Sequence, residues 1–396
     1  MRAKLHPSDE WLRMADVVEI TDLAELDHYR MAWNALLPAT PRASFFHTFD
    51  WFAAQWRHAA GPDRRFRVLA IRSAGSIVGI VPLCVQTERY RLGRVRVLTY
   101  PLADWGMWYG PIGPNQAASM RLAMQHVRNA PRDWDLLELR WLDAAPCDRS
   151  GAVASLRAVG MPARMSRYQS TSVVEFKPSW DEYLAGRSSK WRHELRRQLR
   201  VVDELGDVEF VRHRPAGAVR GDADPCWDLF DDCQRVAAAS WQGRSNSGNT
   251  ISHGDVREFL RESHAAAARL GMLDVALLKV DGVPAAFAYN YFYDGHVVGL
   301  RIGYDKSVSD RGLGRALLAH VIRDSCRRGD KEIDMGPGDY DFKRRFRTRV
   351  ETSARVVHYP PLAMRSLGVR LTRWLKTQPF VQDGGKQPAV GEPSVV

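Results

Sequence analysis

Residues 272–305 read MLDVALLKVDGVPAAFAYNYFYDGHVVGLRIGYD, and residues 307–318 continue SVSDRGLGRALL. Asp281-Gly282 and Asp294-Gly295 divide the first run into three apolar segments rich in β-branched and aromatic residues. Asp-Gly between such segments marks a tight hairpin turn, because both residues tolerate positive φ. The run therefore reads as a three-strand meander. After the polar SDR the period changes to that of a helix, RGLGRALLAHVIRDSCRRG (311–329), and KEIDMG (331–336) follows as a short strand.

The same order occurs earlier in the chain. The hairpin VLAIRSAGSIVGIVPL (68–83) matches VALLKVDGVPAAFAYN (275–290) in pattern. RVRVLTY (94–100) is a further strand, AASMRLAMQHVRNA (117–130) a helix, and WDLLELRWL (134–142) a strand. Ahead of these, LAELDHYRMAWNALL (23–37) reads as a helix and SFFHTFDWFAAQW (44–56) as aromatic core. A duplicated unit explains this self-similarity and a length of 396 residues, too great for one ordinary core. The fold class is α+β, with tandem units that each form a mixed, mostly antiparallel sheet flanked by helices. The first unit is expected over 1–165 and the second over 166–360. A basic amphipathic helix and a Gly/Pro-rich tail expected to be disordered follow over 361–396.

Apolar residues make up 45% and charged residues 26%, the balance of a soluble globular protein. The net charge of +11 implies an anionic partner without specifying its kind. Five scattered cysteines without a CxxC pair fit a reducing compartment. The first residues lack a secretory apolar core, and no stretch approaches the roughly 20 apolar residues of a membrane span. A cytoplasmic location is expected. There is no HExxH, GxSxG or GxxxxGK[ST], which disfavours a metal hydrolase, a serine esterase and a Walker-type nucleotide site; no metal site is expected.

The glycine loop carries the first chemical signal. Backbone N–H groups at a helix N-terminus, aided by the helix dipole, form a site for phosphate. Arg311, Gly312, Leu313, Gly314 and Arg315 supply such amides, and the two arginines add charge. Leu317 stands where a dinucleotide fingerprint needs a third small residue, so that reading fails. The plainer alternative is glycine-assisted packing of the helix on the sheet. The second signal is DMGPGDYDFKRRF (334–346), where Gly and Pro end a strand and charged residues crowd behind it.

Meander, glycine loop, helix and strand together resemble the acyl-CoA-binding core of the GCN5-related N-acetyltransferases (GNAT). SWDEYLAGRSSKWRHELRRQLRVVDELGDVEF (179–210), GLGRALLAHVI (312–322) and EIDMGPGDYDFKRRF (332–346) look more specifically like the BioF2-like, or CelD-type, group. That group is often linked with cellulose and exopolysaccharide production. FKxxF within 342–346 and the tandem layout are similar to the Fem aminoacyltransferases. The resemblance covers about 175–360 and is only architectural before that. Ser309 departs from the Arg or Gln that the acetyltransferase loop prefers.

The resemblance implies acetyl-CoA or another acyl-CoA as co-substrate at 311–315, and a first unit that is cofactor-free. It places Tyr340 as proton donor to the leaving thiolate and Lys343 as a stabiliser of negative charge. Asp334 or Asp339 would act as general base. Tyr289, Asn290 and Arg301, on the meander, are candidates for substrate contact. The expected reaction is N-acyl transfer to an amine acceptor, a small molecule or glycan precursor, in exopolysaccharide or cell-envelope metabolism. Two alternatives stay open: a Fem-like transferase using aminoacyl-tRNA, and a degenerate scaffold for polysaccharide synthesis.

Two basic helices remain. GRSSKWRHELRRQLRVV (186–202) presents Arg187, Lys190, Arg192, Arg196, Arg197 and Arg200 opposite an apolar stripe. Its charge fits a solvated face, an anionic substrate, the phosphates of CoA or RNA; without interleaved aromatic residues, nucleic acid is not supported, although tRNA is not excluded. PLAMRSLGVRLTRWLK (361–376) places Met364, Leu367, Leu371, Trp374 and Leu375 on one face. It can lie on an anionic membrane, making the protein peripheral there, or dock on its own domain.

Overall fold

The three hairpins form at the turns the sequence marks. Ala74-Gly75, Asp281-Gly282 and Asp294-Gly295 all have positive φ at both positions, the geometry that matches the twist of the flanking strands. The computed structural model describes residues 15–58, 61, 63–91, 93–102, 105–144, 148–244, 250–309, 312–361 and 363–376. Arg311 and the tail from 377 lie outside the described residues.

The first half contains β1 (Ala15–Ile20), α1 (Leu23–Asp27), α2 (Arg30–Leu36), α3 (Phe49–His58), β2 (Arg64–Ser73), β3 (Ser76–Tyr90) and β4 (Gly93–Thr99). It continues with α4 (Gln116–Asn129), β5 (Leu136–Asp143), α5 (Ala152–Ala158) and β6 (Ala163–Glu175). The second half contains α6 (Trp180–Ala185), α7 (Ser189–Asp203), β7 (Val208–His213), α8 (Trp227–Ala239), α9 (Arg257–Leu270), β8 (Leu273–Val280), β9 (Val283–Tyr293) and β10 (His296–Tyr304). It ends with α10 (Leu313–Arg328), β11 (Glu332–Pro337), α11 (Asp341–Phe346), β12 (Arg349–His358) and α12 (Met364–Lys376). The stretch 23–37, which reads as one helix, is broken into α1 and α2 at His28 and Tyr29.

Each half has the mixed, mostly antiparallel sheet and flanking helices that the pattern indicated. The two sheets are continuous, however, in the order β1-β2-β3-β4-β5-β12-β6-β11-β10-β9-β8-β7. Adding six to each strand number and reversing the order gives the same list, so the halves are related by a pseudo-twofold axis between β12 and β6. With β6, which crosses the boundary expected at 165, counted to the first half, the last strand of each half is exchanged: β6 pairs with β11, and β12 pairs with β5. A strand's own pattern states which face it buries but not which neighbour it joins.

The exchange also ties the cores together. One apolar cluster runs through both halves, with Trp51 of α3 5.0 Å from Phe259 of α9 and Phe45 4.4 Å from Tyr291 of β9, measured between ring centroids. A second cluster lies between the second half's strands and α6, α7, α10 and α11. No helix among the described residues is long and apolar enough to cross a membrane.

Candidate active site

β10 and β11 run parallel for only three residue pairs, ending at Val298 and Asp334. Beyond them β10 bulges between Gly299 and Arg301, and β11 turns away through Gly336 (φ 76°) and Gly338 (φ 97°). A side chain at Gly336 would also meet the Gly299 carbonyl at 3.2 Å, so a glycine is required there by both conformation and space. Beyond the end of β10 lies a cavity of about 680 Å³. Ile302, Gly303 and Tyr304 of β10 form one wall, Gly312, Gly314 and Arg315 another, and Tyr340, Asp341 and Phe342 a third. Arg197, Gln198 and Val201 of α7 and the half-exposed Trp241 close the remaining side.

The glycine loop forms the start of α10. Gly312 is the N-cap residue with φ 82°, and the N–H groups of Arg315 and Ala316 bond back to its carbonyl at 3.0 and 2.9 Å. The amides of Gly312, Leu313 and Gly314 therefore precede the first intrahelical bond, which is where an α-helix leaves donors over. Gly314 serves packing as well: a Cβ there would stand 3.3 Å from the Tyr304 ring. Leu313 is buried in the core beneath. Arg315 faces Glu194 of α7 at 3.6 Å and Asp341 at 4.0 Å, and Arg345 joins the same two carboxylates at 2.8 and 2.7 Å. Arg197, by contrast, has no hydrogen bond or ion pair among the described residues.

The residues of 334–346 separate into three environments. Tyr340 stands at the cavity, 42% exposed, with its ring stacked against Phe342, centroids 6.0 Å apart. Asp339 lies on the outer surface, paired with Arg344 at 3.2 Å and Arg347 at 2.7 Å. Asp334 and Lys343 are buried at the seam between the halves. Asp334 accepts hydrogen bonds from Trp108 Nε1 (2.7 Å), Thr171 Oγ1 (3.0 Å) and the Gly336 amide (2.9 Å). Burial pushes its carboxyl upward, against these three donors and the nearby Arg42. Lys343 Nζ donates to the carbonyls of Gly336 (3.0 Å) and Pro337 (2.6 Å). Burial lowers its ammonium to about 8, opposed by Asp334 and assisted by Arg301.

The substrate candidates on the meander do not line the cavity. Tyr289 is buried on the face towards α8 and α9, its hydroxyl 2.8 Å from His264 Nδ1. Asn290 is 3% exposed and pairs with Gly299 across β9 and β10. Arg301 lies over the Trp105 ring at 4.3 Å, facing the first half. Trp241, Gln198 and Val201 were not singled out by the sequence. Arg197 belonged to a recognised basic run, but nothing in that run marks which arginine faces the cavity.

The corresponding gap in the first half is filled. β4 and β5 are parallel for two pairs only, Val97 with Leu136 and Leu98 with Leu137. Trp105, Met107, Trp108 and Tyr109 are buried in the shared core at that place, and the Tyr109 amide bonds to the Trp141 carbonyl at 3.0 Å.

Meander, glycine-led helix and following strand are thus arranged as the sequence resemblance implied. Residues 189–344 match the family described as an acetyltransferase (GNAT) domain, so the chain carries a GNAT acyltransferase domain within the span where its motifs lie. Among solved structures, FemX superposes with a TM-score of 0.56 at 11% identity, covering 89% of this chain and 99% of that one. A chain described as the C-terminal domain (DUF2156) of a lysylphosphatidylglycerol synthetase from Agrobacterium fabrum gives 0.55 at 14% identity, covering 89% and 98%. At these identities the likeness is one of fold. No curated protein matches the chain.

Proposed function

We propose that this protein transfers an acyl group from acyl-CoA to an amine, with the cavity beside α10 as the donor site. The observation that carries this reading is the juxtaposition of the α10 N-terminus, the end of β10 and Tyr340 in one cavity. The pyrophosphate is assigned to the amides of 312–314, with Arg197 facing it from α7. Acetyl-CoA is the simplest donor.

The reaction is direct transfer. The neutral amine attacks the thioester carbonyl, the tetrahedral oxyanion collapses, and the C–S bond breaks. The thiolate takes a proton from Tyr340, while the ammonium proton passes to solvent or a base. Asp334 has three hydrogen-bond donors on its two oxygens. It is assigned a positioning role, holding the turn at Gly336. Asp339, tied to two arginines on the surface, is assigned to the fold of that turn. Lys343 carries positive charge to the base of the gap. The acceptor class follows only the resemblance to CelD-type proteins: an amino sugar or another envelope precursor.

The test is calorimetric titration of acetyl-CoA into the full chain, followed by thiol-release assays with amino sugars. Binding and amine-dependent thiol release support the reading. A folded protein that ignores CoA but forms a salt-sensitive complex with aminoacyl-tRNA would favour the Fem-like alternative, which the fold shared with FemX allows.

A further inference from the structure

The C-terminal helix is docked with its apolar stripe facing outward. α12 holds on to β4 and its neighbours through Ala363, Ser366 and Val369, all buried, with Val369 in a cluster with Tyr90, Val95, Val97, Leu136 and Val357. Arg373 turns inward as well, reaching the buried Glu138 at 2.7 Å. Met364, Leu367 and Leu371, on the opposite side, are 80%, 41% and 53% exposed. Their spacing of three and four residues makes one continuous ridge. Of the stripe read from the sequence, these three residues face outward while the helix docks by its other face; the side chains of Trp374 and Leu375 lie outside the described residues.

The helix itself carries only cations: residues 361–376 contain no Asp or Glu. Arg370 is exposed beside the ridge, and Arg365, also exposed, lies 3.5 Å from Asp135. Arg373 lies 5.7 Å from the Tyr90 ring, which brings the end of the helix to the β3–β4 turn with its exposed Arg89 and Arg91. An apolar ridge in solvent is unfavourable unless something covers it. A cover that buries apolar side chains and also supplies a field of negative charge is an anionic lipid surface, where the two contributions add. We infer that α12 is a membrane-surface contact, which sets Met364, Leu367 and Leu371 into the headgroup boundary of an anionic bilayer while the arginines meet lipid phosphates. The inference stands apart from the acyl-transfer reading, since none of these residues lines the cavity.

The experiment is sedimentation of the full-length protein with phosphatidylcholine vesicles, with and without phosphatidylglycerol. The expected result is binding only to vesicles containing phosphatidylglycerol, weakened by salt. The triple variant Met364→Gln, Leu367→Gln, Leu371→Gln should lose that binding while melting at the wild-type temperature, because all three side chains are exposed. Arg370→Glu should weaken it about fivefold or more. Wild-type protein that ignores anionic vesicles, or a triple variant that binds them equally, overturns the inference. So does a concentration-dependent dimer that the triple variant abolishes without any vesicle binding, since the ridge would then meet a second copy of the chain.

Discussion

The indole Nε1 of Trp108, in the first half, donates a 2.7 Å hydrogen bond to Oδ2 of Asp334, in the second. Both groups are buried, and Thr171 on the exchanged strand β6 bonds to the same oxygen at 3.0 Å. The carboxylate thus joins the filled gap of one half to the open gap of the other. Arg42 lies over the Trp108 ring at 3.7 Å, so the contact is layered rather than isolated.

Trp108→Phe keeps a ring for Arg42 to cover, removes the donor and leaves part of the indole's space empty, which adds to the loss. A hydrogen bond to a charged, buried group contributes about 1.5–3 kcal/mol, and the variant should lose at least that much stability in urea denaturation. A much smaller loss would mean that Thr171 and the Gly336 amide satisfy Asp334 unaided.

Lys343 gives stability a pH dependence of known sign. Its ammonium is held at about 8, against an ordinary value of 10.5, so the unfolded chain binds more protons between those values. Stability should therefore rise with pH from about 8 to 10.5, and below 8 the full cost of the buried charge is present. Lys343→Met should flatten that part of the profile. An unchanged slope in the variant would assign it to another group.

Two substitutions separate the donor site from the fold. Gly314→Glu places a carboxylate at the α10 N-terminus and should weaken acetyl-CoA binding about tenfold or more, with only a small shift of the Tyr304 ring. Arg197→Ala should weaken binding about fivefold, as loss of one charge-assisted contact, and leave the melting temperature unchanged because the side chain has no partner among the described residues. Calorimetry with acetyl-CoA measures both. Undiminished affinity in both variants would remove the phosphate assignment.

Tyr340→Phe isolates the proton donor. The ring keeps its stack on Phe342, so folding and KM should not change, while kcat should fall about a hundredfold. Equal kcat in the variant would show that solvent protonates the thiolate.

Much of the fold was legible locally. The Asp-Gly turns placed the meander, the change of period after residue 309 placed α10, and the repeat of this order showed the duplication. These features depend on backbone preference and side-chain periodicity, which neighbouring residues determine. The glycine loop and Tyr340 were legible for the same reason, since the one opens a helix and the other follows the strand that ends at its glycines.

Tertiary structure decided the rest. Nothing within β6 or β12 states that each completes the other half's sheet, because hydrogen-bonding edges are alike in every strand. The burial of Asp334 against Trp108, 226 residues away, follows from that exchange. Likewise, Asp339 and Asp334 are both aspartates beside the same turn, yet one is drawn to surface arginines and the other to buried donors. The sequence determined that α12 has an apolar face; only packing decided that this face points outward, because Val369 and Arg373 found the cluster around Tyr90 and the carboxylate of Glu138 first.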